Sequence, residues 1–272
     1  MSDVTISHVE HRQRIWLYAL AVVIAILLVA PSVLVVIMSF TASTFLEFPP
    51  RAYSLRWYRA YLDSPAWTDA TYVSVVTALW TVALATPIGT AAAYGLHALG
   101  LRIRRGLIGV LMLPLFVPHI LIAVGLFFAY VQLGLANTIP GLVAAHTLLA
   151  LPLVVAVVTA GLSSFDRNQE RAAQSLGASP LGAFMRVTLP QIRLSVLSAA
   201  LFAFITSFDE GIVALFVATG ETSTLTRRMF LALRDAIDPT IAAISTGLIG
   251  ITVIVVAATQ IVAGRDGRPA GN

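Results

Sequence analysis

The sequence predicts an all-α, polytopic membrane protein with six transmembrane helices, on three observations. The 272 residues are 58% hydrophobic and only 11% charged, with a mean hydropathy of +0.89, far outside the range of a soluble domain. Six apolar runs, Ile15 to Phe40, Ala70 to Leu99, Leu107 to Val131, Ile139 to Phe165, Leu194 to Thr219 and Ile241 to Gly264, approach or exceed the roughly 20 residues that cross a hydrocarbon core. Arg is spread unequally between the segments that join them, which sets an orientation.

The first run is too long for a signal-peptide core and no convincing cleavage site follows it, so it is expected to be a retained helix. Pro114 and Pro118 interrupt the third run and Pro152 the fourth. Membrane helices tolerate such bends because neighbours satisfy the freed carbonyls, and the bends serve either as static packing kinks or as flexing points. The fifth run holds two adjacent acids, Asp209 and Glu210, and the sixth leads into a short tail. The expected organisation is a single membrane domain over 15–264, between an N-terminal segment 1–14 and a tail 265–272, with a polar loop at 165–190.

An even number of spans puts both termini on one side. That side carries eleven of the seventeen Arg (12, 14, 102, 104, 105, 167, 171, 186, 193, 265 and 268) and, after its carboxylates, a net charge of +6, whereas the other side balances to zero. The termini and the 165–190 loop are therefore expected in the cytoplasm. The basic charge reflects topology and not nucleic-acid binding. Cys is absent, which excludes disulfides and thiolate metal sites. Lys is absent too, so the chain has no Walker A lysine and cannot hold ATP in an ordinary P-loop. No HExxH, GxSxG or clustered His and acid ligands suggest an enzyme.

The loop QERAAQSLGASPLGAFMRVTLP, Gln169 to Pro190, is unusually structured. Glu170 to Leu176 are good helix formers, and Gly177 suits the left-handed position that closes a helix. Ser179 offers an N-cap oxygen and Pro180 fits the first helical position, so a second helix is expected to run towards Val187, with Pro190 leading into the next span. Two short helices meeting at a corner can dock on a partner or lie along the lipid surface.

The spacing of Ala172, Ala173, Gly177, Val187, Leu189 and Pro190 resembles the EAA signature of the membrane subunits of binding-protein-dependent ABC importers. Further stretches, FPPRAYSLRWYRAYL, LPLFVPHI, GLVAAHTLLALPLVV and SFDEGIVALFV, resemble the spermidine/putrescine type, C-type subunit, so that the likeness covers most of the chain. It implies the type I importer fold, with five core helices plus one N-terminal helix. It also implies that the loop is a coupling helix seated on a separate ATPase dimer, which binds the ATP and Mg while this chain holds no cofactor. A second permease subunit, of the B-type, and an external substrate-binding protein complete the implied assembly in a bacterial inner membrane. The motif's leading Glu falls on Arg171, with Glu170 one residue earlier. Either Glu170 substitutes for it from a different angle, or the partner surface differs.

Asp209 and Glu210 are the acids expected inside an apolar run. A central carboxylate costs on the order of 3 kcal/mol to insert, so the pair needs water, a partner or a helix terminus. Helical spacing puts Glu210 with Ala203, Ser207 and Ala214, and Asp209 with Phe202, Thr206 and Val213. One reading lines a path for a cationic substrate with Asp209, Glu210, Thr206, Ser207 and His119. The other pairs the acids with Arg227 or Arg228, or with a partner subunit. His119 and His146 have no second ligand at metal spacing, which favours hydrogen-bonded packing for each. The function expected is an importer permease for polyamines or a related amino compound. The alternative is a secondary transporter using Asp209 or Glu210 as a cation or proton site, although no internal repeat accompanies it.

Overall fold

A computed structural model describes residues 15–235 and 238–266. The expected N-terminal segment 1–14, with Arg12 and Arg14, and residues 267–272 of the expected tail lie outside the described residues. In chain order the helices are α1 (Ile15–Met38), α2 (Arg56–Asp63), α3 (Pro65–Ala98), α4 (Leu101–Phe116), α5 (His119–Leu133) and α6 (Ile139–Ser163). They continue as α7 (Arg167–Ser175), α8 (Pro180–Gln191), α9 (Arg193–Asp209), α10 (Ile212–Val217), α11 (Leu225–Asp235) and α12 (Thr240–Asp266). The all-α class follows, and the described residues contain no strand beyond one isolated bridge, Thr41 to Tyr53.

By length and composition α1, α3 and α6 can each cross a membrane. Two bent pairs, α4 with α5 at 93° and α8 with α9 at 79°, raise the number to five, and α12 is apolar over its shorter stretch Thr240–Ile254. The third and fifth runs are thus not the continuous helices that hydropathy suggests. The third breaks because Val117 precedes Pro118, which excludes it from the helical region, and Val117 is extended at φ −84°, ψ 128°. The fifth breaks where Glu210 turns extended at φ −69°, ψ 108°, ahead of Gly211. Pro114 and Pro152, by contrast, sit inside helices that continue through them.

The chain forms two compact units. One consists of the segments on either side of Pro65–Leu231; in it α12 packs on α1 and α2. No residue of α1 is buried, so its apolar surface is left for lipid or another subunit. The other unit, Pro65–Leu231, is built on mutual contact of α3, α6 and α9. Small residues allow this: Ala85, Ala93, Ala150, Ala199 and Ala203 are fully buried there. At Gly89 even a Cβ would lie 2.5 Å from Val154 Cγ1. A second cluster joins α5, α6 and α10 through Ala123, Tyr130, Leu142, Val213 and Val217. Some polar groups in this core pair with one another. His146 Nδ1 lies 2.8 Å from Ser207 Oγ, which donates to Thr81 Oγ1 at 3.2 Å. Ser74 Oγ accepts from the Leu225 N–H at the start of α11 (2.8 Å).

Candidate functional site

Two constellations stand at opposite ends of α9, a helix of 17 residues and so about 25 Å long. The first is the loop that precedes it. Asp166 caps α7 by accepting from the Asn168 N–H (2.9 Å). At its other end the Gly177 N–H donates to Gln174 O (3.0 Å) and the Ala178 N–H to Ala173 O (3.1 Å), the two bonds of a Schellman closure. Gly177 holds φ +93°, the left-handed conformation that the sequence assigns to it. Ser179 Oγ then accepts from the Gly182 N–H (3.1 Å) and starts α8 behind Pro180. A π turn over Phe184–Thr188 carries Val187 and leads through Leu189 and Pro190 to the bend at Ile192.

Glu170 and Arg171, adjacent in sequence, point in different directions. Glu170 is only 5% exposed. Its Oε2 accepts from Thr188 Oγ1 (2.8 Å), its Oε1 from the Tyr94 hydroxyl, and Gln174 Nε2 stands 3.4 Å from Oε1. The carboxylate therefore ties α7 to α3 and to the π turn. Tyr94 also packs on Phe184, with ring centroids 4.6 Å apart, and Arg167 donates to His97 O (3.2 Å) at the end of α3. Arg171 and Ala172 are exposed and Ala173 half-buried. The corner itself is apolar and open, with Leu176 90% and Leu181 72% exposed.

The second constellation is a cleft of about 400 Å³ lined in part by Leu115, His119, Thr206, Asp209 and Glu210. Both helix interruptions meet here. His119 opens α5 just after Pro118, and Glu210 follows the last residue of α9. His119 Nδ1 lies 3.1 Å from Glu210 Oε2, while Glu210 Oε1 accepts from the Val213 N–H (2.9 Å) and so satisfies a free donor at the start of α10. Irregular backbone at membrane depth is tolerated where it lines a cavity, and a buried carboxylate where it is hydrogen-bonded. Asp209 is exposed and makes no ion pair among the described residues.

Of the residues expected to line a path, the cleft thus brings together His119, Thr206, Asp209 and Glu210. Ser207 is placed elsewhere, buried between α3 and α6 on His146 and Thr81. Nor do the acids pair with Arg227 or Arg228: Arg227 donates to Ser223 Oγ (3.1 Å) and Arg228 stacks on Trp67. Tyr94 and Thr188 do not stand out in the sequence. They lie 76 and 18 residues from Glu170, and only the tertiary fold joins them.

The model of the binding-protein-dependent transport system inner membrane component matches residues 85–265. The putrescine transport system permease protein PotI of Escherichia coli (strain K12) is 32% identical over 84% of this chain and 83% of its own length. The spermidine/putrescine transport system permease protein PotC of Haemophilus influenzae is 27% identical over 78% and 82%. The trehalose transport system permease protein SugB of Mycobacterium tuberculosis is 28% identical over 73% of each chain. Among solved structures, a bacterial ABC transporter involved in the import of the acidic polysaccharide alginate superposes with a TM-score of 0.68 at 14% identity, covering 94% of this chain and 98% of that one. That likeness concerns the fold. With the family model spanning most of the chain and a relative above 30% identity, the protein belongs to the inner membrane components of binding-protein-dependent transport systems, the permease subunits of ABC importers.

Proposed function

We propose that this chain forms half of the translocation path of an importer for small cationic amines of the polyamine class, driven through its 165–190 loop by a separate ATPase. The observation that carries the reading is the cleft at the broken ends of α5 and α9, where Asp209 and Glu210 stand beside His119. Relatives of similar identity include both putrescine and trehalose permeases, so family alone does not select the substrate. Two carboxylates in a membrane cleft, of which Asp209 has no ion pair among the described residues, favour a cation over a neutral sugar. In this mechanism Asp209 receives an ammonium group, and Glu210 exchanges His119 for a second one as the substrate passes.

Coupling follows from connectivity. The loop and the cleft are the two ends of α9, and Tyr94 and Arg167 bind the loop to α3, so displacement of the corner is delivered to helices that pack together over their length. The chain then works with an ATPase dimer that holds ATP and Mg, a second and different permease subunit, and a substrate-binding protein outside. In this arrangement it contributes six spans, with α12 as the sixth, faces lipid through α1 and keeps both termini cytoplasmic. Family membership disfavours the secondary transporter, which would need a complete path in one chain, as well as a membrane enzyme.

The test is uptake of labelled putrescine into proteoliposomes holding the chain, its partner permease and its ATPase, with the binding protein outside. Asp209→Asn with Glu210→Gln is expected to lower uptake at least tenfold while ATPase capture stays intact. Undiminished uptake by that variant would make the carboxylates structural. Transport by the chain without an ATPase would overturn the importer mechanism.

A further inference from the structure

The loop's internal bonding leaves a distinctive set of charges on its outside. Its carboxylates are Asp166 and Glu170. Asp166 is engaged as the cap of α7, and Glu170 is buried under the hydroxyls of Tyr94 and Thr188. Arg171 and Arg186 are exposed and form no ion pair among the described residues. Between them in sequence stand the exposed apolar side chains of Leu176, Leu181 and Met185. The surface offered is an apolar corner flanked in sequence by Arg171 and Arg186, with Asp166 left at the far end of α7 as its cap.

We infer that this corner docks into an apolar cleft of the ATPase subunit whose rim carries carboxylates, with Arg171 as the charge that selects it. The inference rests on the coupling role proposed above and deepens it by naming the chemistry of the partner surface. Glu170 does not reach the partner. It is a positioning residue that holds α7 at the angle which presents Arg171. Complementarity decides the sign, because an exposed guanidinium in a contact rim attracts carboxylates and repels a basic partner. A lipid surface would also accept cations and apolar groups, but it has no use for a corner fixed by a left-handed glycine and a double helix closure. A shaped cleft does.

The experiment measures capture of the purified cognate ATPase by the full permease assembly in nanodiscs of either zwitterionic or anionic lipid. Arg171→Glu is expected to weaken capture at least tenfold in both lipids and to flatten its dependence on salt, whereas Arg171→Lys retains most of it. Substitution of a rim carboxylate of the ATPase by Lys should restore binding to Arg171→Glu. If Arg171→Glu binds as well as the unaltered chain while Leu181→Asp abolishes capture, the loop docks but its partner is not acidic, and the inference falls. If Leu176→Asp and Leu181→Asp also bind normally, the coupling reading itself falls. An Arg171 effect confined to anionic lipid would assign the cation to headgroups and likewise overturn the inference.

Discussion

Replacing Gly177 perturbs the corner of the loop and little else. Its φ of +93° is one that side-chain-bearing residues seldom adopt, yet a Cβ built there meets no atom within 4 Å. The penalty is therefore purely one of backbone conformation. For Ala it amounts to about 1–2 kcal/mol, and for a β-branched residue it approaches about 3 kcal/mol. Asn tolerates left-handed backbone better than either. A penalty of 1–2 kcal/mol shifts a local equilibrium by roughly 5–30-fold. Because the corner is exposed and the helices behind it are anchored through Glu170 and Arg167, the shift falls on corner geometry and not on global folding. Uptake per ATP hydrolysed in proteoliposomes is expected to fall in the order Gly, Asn, Ala, Val. Gly177→Val should lose at least tenfold while its thermal unfolding stays within a few degrees. A Val variant as well coupled as Gly, or an Asn variant worse than Val, would refute the conformational argument.

Two further outcomes test the interior. Tyr94→Phe and Thr188→Val each remove one hydrogen bond to the buried Glu170 carboxylate, worth about 1.5–3 kcal/mol. Because both act on one group, the double variant should depart from additivity by at least 0.5 kcal/mol in thermal melts, on the general scale of coupled sites. Strict additivity would mean that they do not share a partner. Gly89→Ala forces a Cβ to within 2.5 Å of Val154 and should lower the melting temperature by an overpacking cost of about 1–3 kcal/mol, which Val154→Ala relieves. An unshifted melt for Gly89→Ala would show that α3 and α6 pack less closely than described.

The membrane class, the number of apolar runs and the local design of the loop are all legible along the chain. Hydrophobic length, an N-cap oxygen at Ser179 and a helix-closing glycine at Gly177 are properties of a few neighbouring residues, so sequence suffices to read them. The helix breaks are less legible. Pro114, Pro118 and Pro152 look alike in an apolar run, but only Pro118 stands at an interruption. Whether a helix survives a proline depends on who satisfies the freed carbonyl, and that is a matter of neighbours.

The site shows the same division. Helical spacing groups Ala203 and Ser207 on a buried face of α9, but that helix ends at Asp209, so the spacing no longer governs Glu210 and the carboxylate turns to His119 instead. Nothing in a linear pattern distinguishes Glu170 from Arg171, which differ by about 100° around α7. That this chain lies in a membrane and bears a capped, cornered loop is readable from the residues alone, because those depend on composition and local backbone preference. Which acid is buried, which cation is presented and where two broken helices meet depend on packing, because the contacts of Glu170 with Tyr94 and of Glu210 with His119 span 76 and 91 residues and form only when distant helices come together.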